Sequence, residues 1–209
     1  MAELSLPQYK QAFREIVVQN GAYGFWAHLV VYILINIMIV IFNLVNSPAI
    51  IWFYFPLFGW GLGLFMHYLF GYRWLSKLLN LLESRAEVRA GSLRQKNGLS
   101  GDITLGEYKK AFRQIIKEDS FAGFIVHLIA FIAVNIMLTI ADVIYNPERL
   151  WFFFPLFGWG AGLIIHYLLG LRWVERFIKS LELLAENKSR EASIFWFSEA
   201  VVHRNDPDL

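Results

Sequence analysis

Two stretches of the sequence are nearly the same and decide the fold. Residues 52–74 read WFYFPLFGWGLGLFMHYLFGYRW, and residues 151–173 read WFFFPLFGWGAGLIIHYLLGLRW. Each is mostly apolar over about 20 residues, the length that crosses the ~30 Å hydrocarbon core of a bilayer as a helix. A chain in hydrocarbon must satisfy its own backbone hydrogen bonds, so both stretches are predicted to be transmembrane helices. Each carries one histidine near its end, His67 and His166.

Both stretches belong to a longer duplication. Adding 99 to a position in the first half gives its counterpart in the second, and residues 9–90 match residues 108–189 at 37 of 82 positions without a gap. A repeat of fixed period indicates two copies of one structural unit. Each copy begins with an amphipathic segment of helical spacing. It continues with an apolar run, at 22–46 and 121–145, and ends with the quoted stretch and a charged helix.

These features predict an all-α integral membrane protein whose four transmembrane helices form two duplicated helical hairpins with amphipathic flanking helices. The predicted boundaries are 1–90 for the first hairpin with its flanking helices, 91–107 for a linker, 108–189 for the second hairpin and 190–209 for a C-terminal tail. The linker is polar and contains glycine, which is typical of a surface segment. We expect one four-helix bundle with a pseudo-twofold axis along the membrane normal, because both copies enter the membrane from the same side.

The composition agrees with a membrane protein and excludes several other classes. Apolar residues make up 57% of the chain and charged residues 17%, against about half and a quarter in soluble domains. The lack of cysteine excludes disulfides, thiolate metal sites and covalent haem attachment. A net charge of +2 is too small to suggest nucleic acid as a partner. No catalytic constellation or phosphate loop is visible, so neither catalytic residues nor an enzymatic activity are predicted.

The basic residues predict the orientation. Lysine and arginine cluster on the side of the predicted hairpins that carries the termini and the linker, whereas the turn at 46–50 has none and the turn at 146–149 has only Arg149. The positive-inside rule therefore places both termini and the linker in the cytoplasm. We expect a multi-pass protein of the cell (inner) membrane or another energy-transducing membrane. Its immediate partner is the lipid bilayer.

Both copies carry a set of polar, glycine and aromatic residues at matching positions. In the first copy the set is His28, Asn36, Trp52, Pro56, Gly59-Trp60-Gly61, Gly63-Leu64 and His67-Tyr68; in the second it is His127, Asn135, Trp151, Pro155, Gly158-Trp159-Gly160, Gly162-Leu163 and His166-Tyr167. This pattern resembles the two-transmembrane (2TM) domain family, and the resemblance covers most of both copies. It implies one helical hairpin per copy. That family is one of unknown function whose hairpin also occurs beside signalling modules, including sensor kinases.

The four histidines of the predicted helices form two pairs. His28 and His67 are equidistant from the turn of the first hairpin, and His127 and His166 are equidistant from the turn of the second. Each pair is therefore predicted to lie at one depth, near the cytoplasmic end of its hairpin. By the same count Asn36 lies at the depth of Trp60.

Residue counting also predicts how the helices pack. An indole N–H donated from Trp60 to the amide of Asn36 would be a structural use of these residues. Asn135 and Trp159 are the matching packing residues of the second copy. Small residues recur every four positions beside the second histidine of each copy, and such a pattern lets membrane helices approach closely. We expect the glycine faces to meet between the copies; the alternative is that each hairpin buries them internally. These residues are Gly59 and Gly63 in the first copy and Gly158 and Gly162 in the second.

Three uses of the histidines remain open. In one, the glycines leave a slot for a flat ring, and His28, His67, His127 and His166 ligate the metal of haem b or a chlorophyll-type pigment. In another, the histidines are structural and bond to tyrosine, asparagine or a backbone carbonyl across the hairpin. The third use is a proton or metal site.

Two functions follow from these uses. The first is a cofactor-binding membrane subunit. The second is a membrane scaffold or regulatory/sensor anchor, which recruits partners through its linker, flanking helices and tail. The expected partner in either case is another membrane protein or a second copy of this chain.

Overall fold

Six α-helices make up the part of the chain that the structure describes. The structure is a computed structural model that describes residues 4–46, 48–49, 51–145, 147–148 and 150–205, with side chains through residue 194. The helices are α1 (Leu6–Asn46), α2 (Tyr54–Tyr68), α3 (Leu75–Lys96), α4 (Leu105–Tyr145), α5 (Phe153–Tyr167) and α6 (Val174–Asn205). A π-helical turn follows α2 at Leu69–Arg73, and another follows α5 at Leu168–Arg172.

The first helix of each copy is longer than a membrane span. Both α1 and α4 have 41 residues, which gives a length of about 60 Å, twice the hydrocarbon core. The sequence predicted an amphipathic segment and a separate apolar run, but the structure joins them in one helix. No proline interrupts either helix beyond its first turn, so the backbone ladder continues across the change in polarity.

Among the residues that the structure describes, three helical segments are long and apolar enough to cross a membrane. They are α1, α4 and Phe153–Arg172, which joins α5 to its π-helical turn. The corresponding segment of the first copy is not among them. Tyr54 and Tyr72 stand there where the second copy has Phe153 and Leu171, and these tyrosines lower its mean hydropathy. The chain is thus an all-helical protein with membrane-length apolar helices in both copies.

A buried side chain near the end of each first helix caps the start of the second. The Asn43 Oδ1 accepts hydrogen bonds from the backbone N–H groups of Trp52 and Phe53 at 2.7 and 3.0 Å. In the second copy the Asp142 Oδ2 accepts the N–H groups of the equivalent residues, Trp151 and Phe152, at 2.5 and 2.8 Å. These N–H groups belong to the two residues directly before each second helix. Backbone N–H groups in such a joint need acceptors, and the two side chains, which are both fully buried, supply them.

The chain divides into two compact units. One consists of Met1–Glu83 and Leu181–Leu209, and the other is Ser84–Ser180. The division falls inside α3 and α6, so each unit contains the hairpin of one copy and the end of the charged helix of the other. In the first unit α1 packs against α2 and its π-helical turn, and in the second α4 packs against α5 and its turn.

The helix ends extend into the predicted linker and tail. Helix α3 continues to Lys96 and α4 begins at Leu105, so only residues 97–104 of the predicted linker are non-helical. Gly98 and Gly101 adopt positive φ in this joint, a conformation that favours glycine. Helix α6 runs through most of the predicted tail. The contacts expected of the tail fall largely on side chains outside the described residues, and the predicted domain boundaries stay predictions.

In the first unit the packed core lies at the end of the hairpin away from the turn. Tyr9, Phe13 and Leu79 are buried there between α1 and the start of α3. The carboxylate of Glu83 is 2% exposed and accepts a 2.5 Å hydrogen bond from Arg14. A buried carboxylate is tolerated when a cation and a hydrogen bond compensate its lost hydration.

Ion pairs hold the corresponding part of the second unit. Arg85 binds Asp119 through two hydrogen bonds of 2.6 and 3.0 Å. One turn further along α3, Arg89 binds Glu118 through two more, of 2.8 and 2.9 Å. Paired N–H···O bonds of this kind have a defined geometry as well as charge attraction. They fasten α3 to α4 within this unit.

The two caps generate a stability prediction. Replacing Asp142 with alanine removes the acceptor of both N–H groups at the start of α5, and we expect the free energy of unfolding to fall by about 1–3 kcal/mol. Asp142→Asn keeps an acceptor oxygen and should cost much less, because Asn43 does the same work in the first copy. Thermal unfolding in a mild detergent, monitored by circular dichroism, measures the stability of both variants. Equal midpoints for Asp142→Ala and the wild type would contradict the capping role.

Glu175 generates a pH prediction. Hydrogen bonds from Lys117 and Lys179 lower the pKa of Glu175 from 4.5 to about 2. A carboxyl group with a lowered pKa in the folded state stabilises the fold above its unfolded value and loses that contribution as the pH falls towards the folded value. The stability advantage of the wild type over Glu175→Gln should therefore shrink between pH 4.5 and about 2. Unfolding curves over this range test it, and an unchanged difference would argue against it.

Candidate functional site

In each hairpin the two histidines bond directly to one another. The Nδ1 atoms of His28 and His67 are 2.9 Å apart, and those of His127 and His166 are 3.1 Å apart. The first residue of each pair lies on the long helix and the second near the end of the short one. The prediction that each pair lies at one depth is therefore confirmed. Such a distance requires that one Nδ1 carries the hydrogen and the other accepts it.

In the first hairpin, the bond from Trp60 determines which ring nitrogen of each histidine carries the hydrogen. The indole Nε1–H of Trp60 donates to the Nε2 of His28 at 2.8 Å. Since indole can only donate, this Nε2 is an acceptor, and the hydrogen of a neutral His28 ring lies on Nδ1. His28 then donates to the Nδ1 of His67, whose own hydrogen lies on Nε2. The order Trp60, His28, His67 forms one directed chain of hydrogen bonds.

The predicted bond between Trp60 and Asn36 is wrong. The amide of Asn36 donates to the backbone carbonyl of Tyr32 at 2.8 Å, one turn back on its own helix. Asn135 makes the same bond to Phe131 at 2.8 Å. Both asparagines are buried. Their bonds to the helix backbone use the amide N–H groups, and the Oδ1 atoms that an indole would have reached have no hydrogen-bond partner among the described residues.

A glycine makes room for the second histidine of each pair. A Cβ added at Gly71 would lie 2.9 Å from the Nε2 of His67, and one added at Gly170 would lie 2.9 Å from the Cδ2 of His166. Atoms this close overlap, so the imidazole rings lie against bare backbone. A phenyl ring on the first helix contacts each ring edge-on, Phe25 at 6.1 Å and Phe124 at 5.9 Å.

The glycines beside the histidines lie inside the π-helical turns. The backbone N–H of Trp74 bonds to the carbonyl of Leu69 at 2.8 Å, and that of Trp173 bonds to Leu168 at 2.9 Å. These bonds span five residues instead of four, and single π turns of this kind are frequent at functional sites. The sequence did not reveal them. The available signal was the repeated spacing of four residues between histidine and glycine.

The other small residues of the second helices behave differently from the prediction. A Cβ added at any of four positions would meet nothing within 4 Å; these are Gly59, Gly63, Gly158 and Gly162. The alternative that each hairpin buries them internally is therefore wrong. The close approaches within the first hairpin are instead at Gly61, where an added Cβ would lie 3.1 Å from the Tyr32 hydroxyl, and at Gly21, where one would lie 2.6 Å from the carbonyl oxygen of Gly71. A glycine interface between the copies stays a prediction.

The histidine pairs do not fit a ring metal held between them. Two imidazoles that ligate one metal from opposite sides need their nitrogens about 4 Å apart, twice a bond of about 2 Å. The observed separations are 2.9 and 3.1 Å, and the Nε2 of His28 is engaged by Trp60. Among the side chains that the structure describes, no three His, Cys, Asp or Glu residues gather as metal ligands. Tetrapyrrole binding by these histidines stays a prediction without geometric support.

The two copies differ in how many polar contacts surround the pair. The Tyr32 hydroxyl donates to the backbone carbonyl of Leu57 at 2.9 Å, whereas Phe131 at the equivalent position has no hydroxyl. Trp159 contacts the His127 ring edge-on at 6.3 Å. The bond between the two histidines is thus the polar contact that both hairpins share.

The fit of His67 on Gly71 can be tested by adding one methyl group. Gly71→Ala should lower the free energy of unfolding by about 1–3 kcal/mol, because the ring must shift. The matched control is Gly63→Ala, which adds the same methyl group where nothing lies within 4 Å. In a His67→Ala background the cost of Gly71→Ala should largely disappear. If both alanine variants unfold alike, the ring does not rest on the glycine. Thermal unfolding in detergent gives the comparison.

Comparison with known proteins identifies the family of both hairpins. The 2TM domain matches the chain at residues 19–84 and again at 117–190, which together cover about two thirds of it. No curated protein matches the chain, and neither does any solved structure. Both matched segments contain a complete histidine pair and its glycine. The chain therefore belongs to the 2TM domain family and carries two tandem copies of that domain.

Proposed function

We propose that the protein is a non-enzymatic membrane anchor whose two hairpins hold a helical scaffold at the cytoplasmic face. The observation that carries this proposal is the direct histidine–histidine hydrogen bond, 2.9 Å in one hairpin and 3.1 Å in the other. It joins the two helices of each hairpin and occupies the two Nδ1 atoms that face each other across the gap. In this proposal the histidines hold the two helices of each hairpin together.

The proposed anchor crosses the membrane four times, with both termini in the cytoplasm. The segment Tyr54–Arg73 has the 20-residue length of its counterpart Phe153–Arg172, and residue for residue it carries the same histidine, glycines and π turn. The basic residues lie away from the two turns, which supports cytoplasmic termini.

The proposed scaffold is the part of each unit beyond the membrane helices. Side chains in the middle of α1 and α4 are mostly exposed and apolar, as a lipid-facing surface requires, whereas Tyr9, Phe13, Tyr108 and Phe112 near the helix starts are buried. Ion pairs such as Arg14 with Glu83 and Arg85 with Asp119 reinforce this part. A rigid charged surface of this kind suits contacts with another protein better than it suits catalysis.

A double-mutant cycle tests the fastening role of the histidines. His28→Ala and His67→Ala should each lower the free energy of unfolding by about 0.6–2 kcal/mol, the range for hydrogen bonds between membrane helices. The double variant should cost little more than either single variant, because both remove the same bond. Unfolding of the purified full chain in detergent gives all four values. Fully additive costs would contradict a bond between the rings.

The visible spectrum distinguishes the anchor from a cofactor-binding subunit. Protein purified after supplementation with haem or pigment should show no Soret band. A band that the wild type retains, and that His67→Ala with His166→Ala removes, would replace the anchor with the tetrapyrrole function.

The four-span topology has a separate readout, since the chain has no cysteine. Ser47→Cys should be labelled by a membrane-impermeant reagent from the outside, and labelling only from the cytoplasm would reverse the proposed orientation.

A further inference from the structure

Cations that no carboxylate neutralises follow the apolar helix in each copy. They are Arg73 and Lys77 in the first copy and Arg172 and Arg176 in the second, at positions 99 residues apart. All four side chains are exposed. Within the described part of the chain, none of them makes a hydrogen bond or an ion pair.

Other cations of the charged helices are paired. Arg85, Arg89, Arg94 and Lys188 each have a carboxylate partner at 2.6 to 2.9 Å. Carboxylates are therefore available along these helices, yet among the described residues none forms an ion pair with the four cations nearest to the apolar segments. Glu175, which directly precedes Arg176, pairs with Lys117 and Lys179 instead. The structure leaves two separate sites of positive charge, one per copy, and each lies within about one helical turn.

An exposed tryptophan marks the level of these cations. Trp74 follows Arg73 directly and is 40% exposed, and Trp173 follows Arg172 and is 42% exposed. Exposed tryptophans at the end of an apolar helix lie at the headgroup level of a bilayer, where the ring is apolar and its N–H meets polar groups. The Trp74 ring also contacts Phe70 inside the apolar segment at 5.6 Å. The cations are thus placed where lipid phosphates lie.

We propose that each copy binds the headgroup of an anionic phospholipid of the cytoplasmic leaflet, through Arg73 and Lys77 in the first copy and Arg172 and Arg176 in the second. The arginine fork binds phosphate oxygens through paired N–H groups, and the second cation adds charge. Charge complementarity selects an anionic over a zwitterionic lipid, because only the former keeps a net negative headgroup. This inference rests on the proposed four-span anchor and names the lipid that the anchor takes.

Lipid binding to the full chain in a nonionic detergent tests the proposal. The wild type is titrated with phosphatidylglycerol and, separately, with phosphatidylcholine, and native mass spectrometry counts the bound lipids. We expect two tight phosphatidylglycerol molecules. Removing a surface cation weakens such binding about fivefold, so Arg73→Gln with Lys77→Gln should leave one tight site and weaken the other more than about tenfold. Arg172→Gln with Arg176→Gln should do the same to the other site.

A charge-matched control isolates the position of the cations. Lys96 and Lys110 are also exposed and make no ion pair among the described residues, but they lie further along the sequence from the apolar segments than the four proposed cations do. Lys96→Gln with Lys110→Gln removes the same charge and should leave both lipid sites intact. Arg73→Lys with Arg172→Lys should retain most of the preference for the anionic lipid. Helicity measured by circular dichroism verifies that each variant is folded.

Three outcomes would overturn the lipid sites. They are equal binding of both lipids, undiminished binding of phosphatidylglycerol by the glutamine variants, and an equal loss in the control. If these cations bind an acidic protein in place of lipid, the glutamine variants should bind phosphatidylglycerol as well as the wild type does. A pull-down of that protein should then be lost when the cations are replaced by glutamine. The Ser47→Cys labelling stands apart from these measurements. If the labelling reverses the orientation while the lipid results hold, the anchor topology fails and the sites do not.

Discussion

An imidazole ring in hydrocarbon needs hydrogen-bond partners from its own bundle, and this need organises each hairpin. Neither lipid nor bulk water can satisfy both ring nitrogens there, and an unsatisfied polar group in an apolar medium is costly. The pairs His28–His67 and His127–His166 satisfy one nitrogen of each ring by bonding Nδ1 to Nδ1, and Trp60 satisfies the second nitrogen of His28. Because each partner sits on a different helix, the bond also fixes the depth of one helix against the other. A shift of one residue along the short helix would break it.

Other features of the hairpin follow from where the second ring must lie. The ring of His67 occupies the space that a Cβ at Gly71 would fill, so any larger residue at that position would displace the ring. The backbone there takes a π turn in both copies. At the opposite end Asn43 and Asp142 cap the second helix. Each short helix is therefore held near both of its ends by a side chain from the long helix.

The sequence predicted those features that follow from counting residues along a helix. The period of 99, the two hairpins and the equal depth of the histidines are all of this kind. Counting residues, however, gives only the depth of each Cα atom, and the Nε1 of a tryptophan lies far from its Cα. Trp60 has the depth of Asn36 by count, yet its side chain reaches His28. The caps were not predicted for a related reason, since Asn43 and Trp52 are nine residues apart across a turn. No spacing rule for one helix connects them.

The fused long helices and the π turns could not be predicted because they depend on tertiary packing. Helical spacing is the same in the amphipathic and the apolar parts of α1, so polarity alone suggested a boundary that the backbone does not have. A π turn adds one residue to a helical turn, and its unfavourable backbone free energy must be offset by a contact that it makes possible. Here the histidine ring lies on a glycine of the same helix, and the orientation of that ring is set by its bond to the first helix of the hairpin.

The duplication separates the contacts that the hairpin requires from those that one copy has added. Both copies keep the ring-to-ring bond, the glycine under the second ring and the buried cap, although the cap is asparagine in one and aspartate in the other. The Tyr32 hydroxyl bond and the Trp60 bond belong to the first copy. In that copy the indole fixes His28 as the donor to His67. In the second copy Trp159 meets His127 as an edge-on ring, so no indole bond fixes the direction of the hydrogen bond. Either histidine can then be the donor, and the bond fastens the helices equally well in both directions.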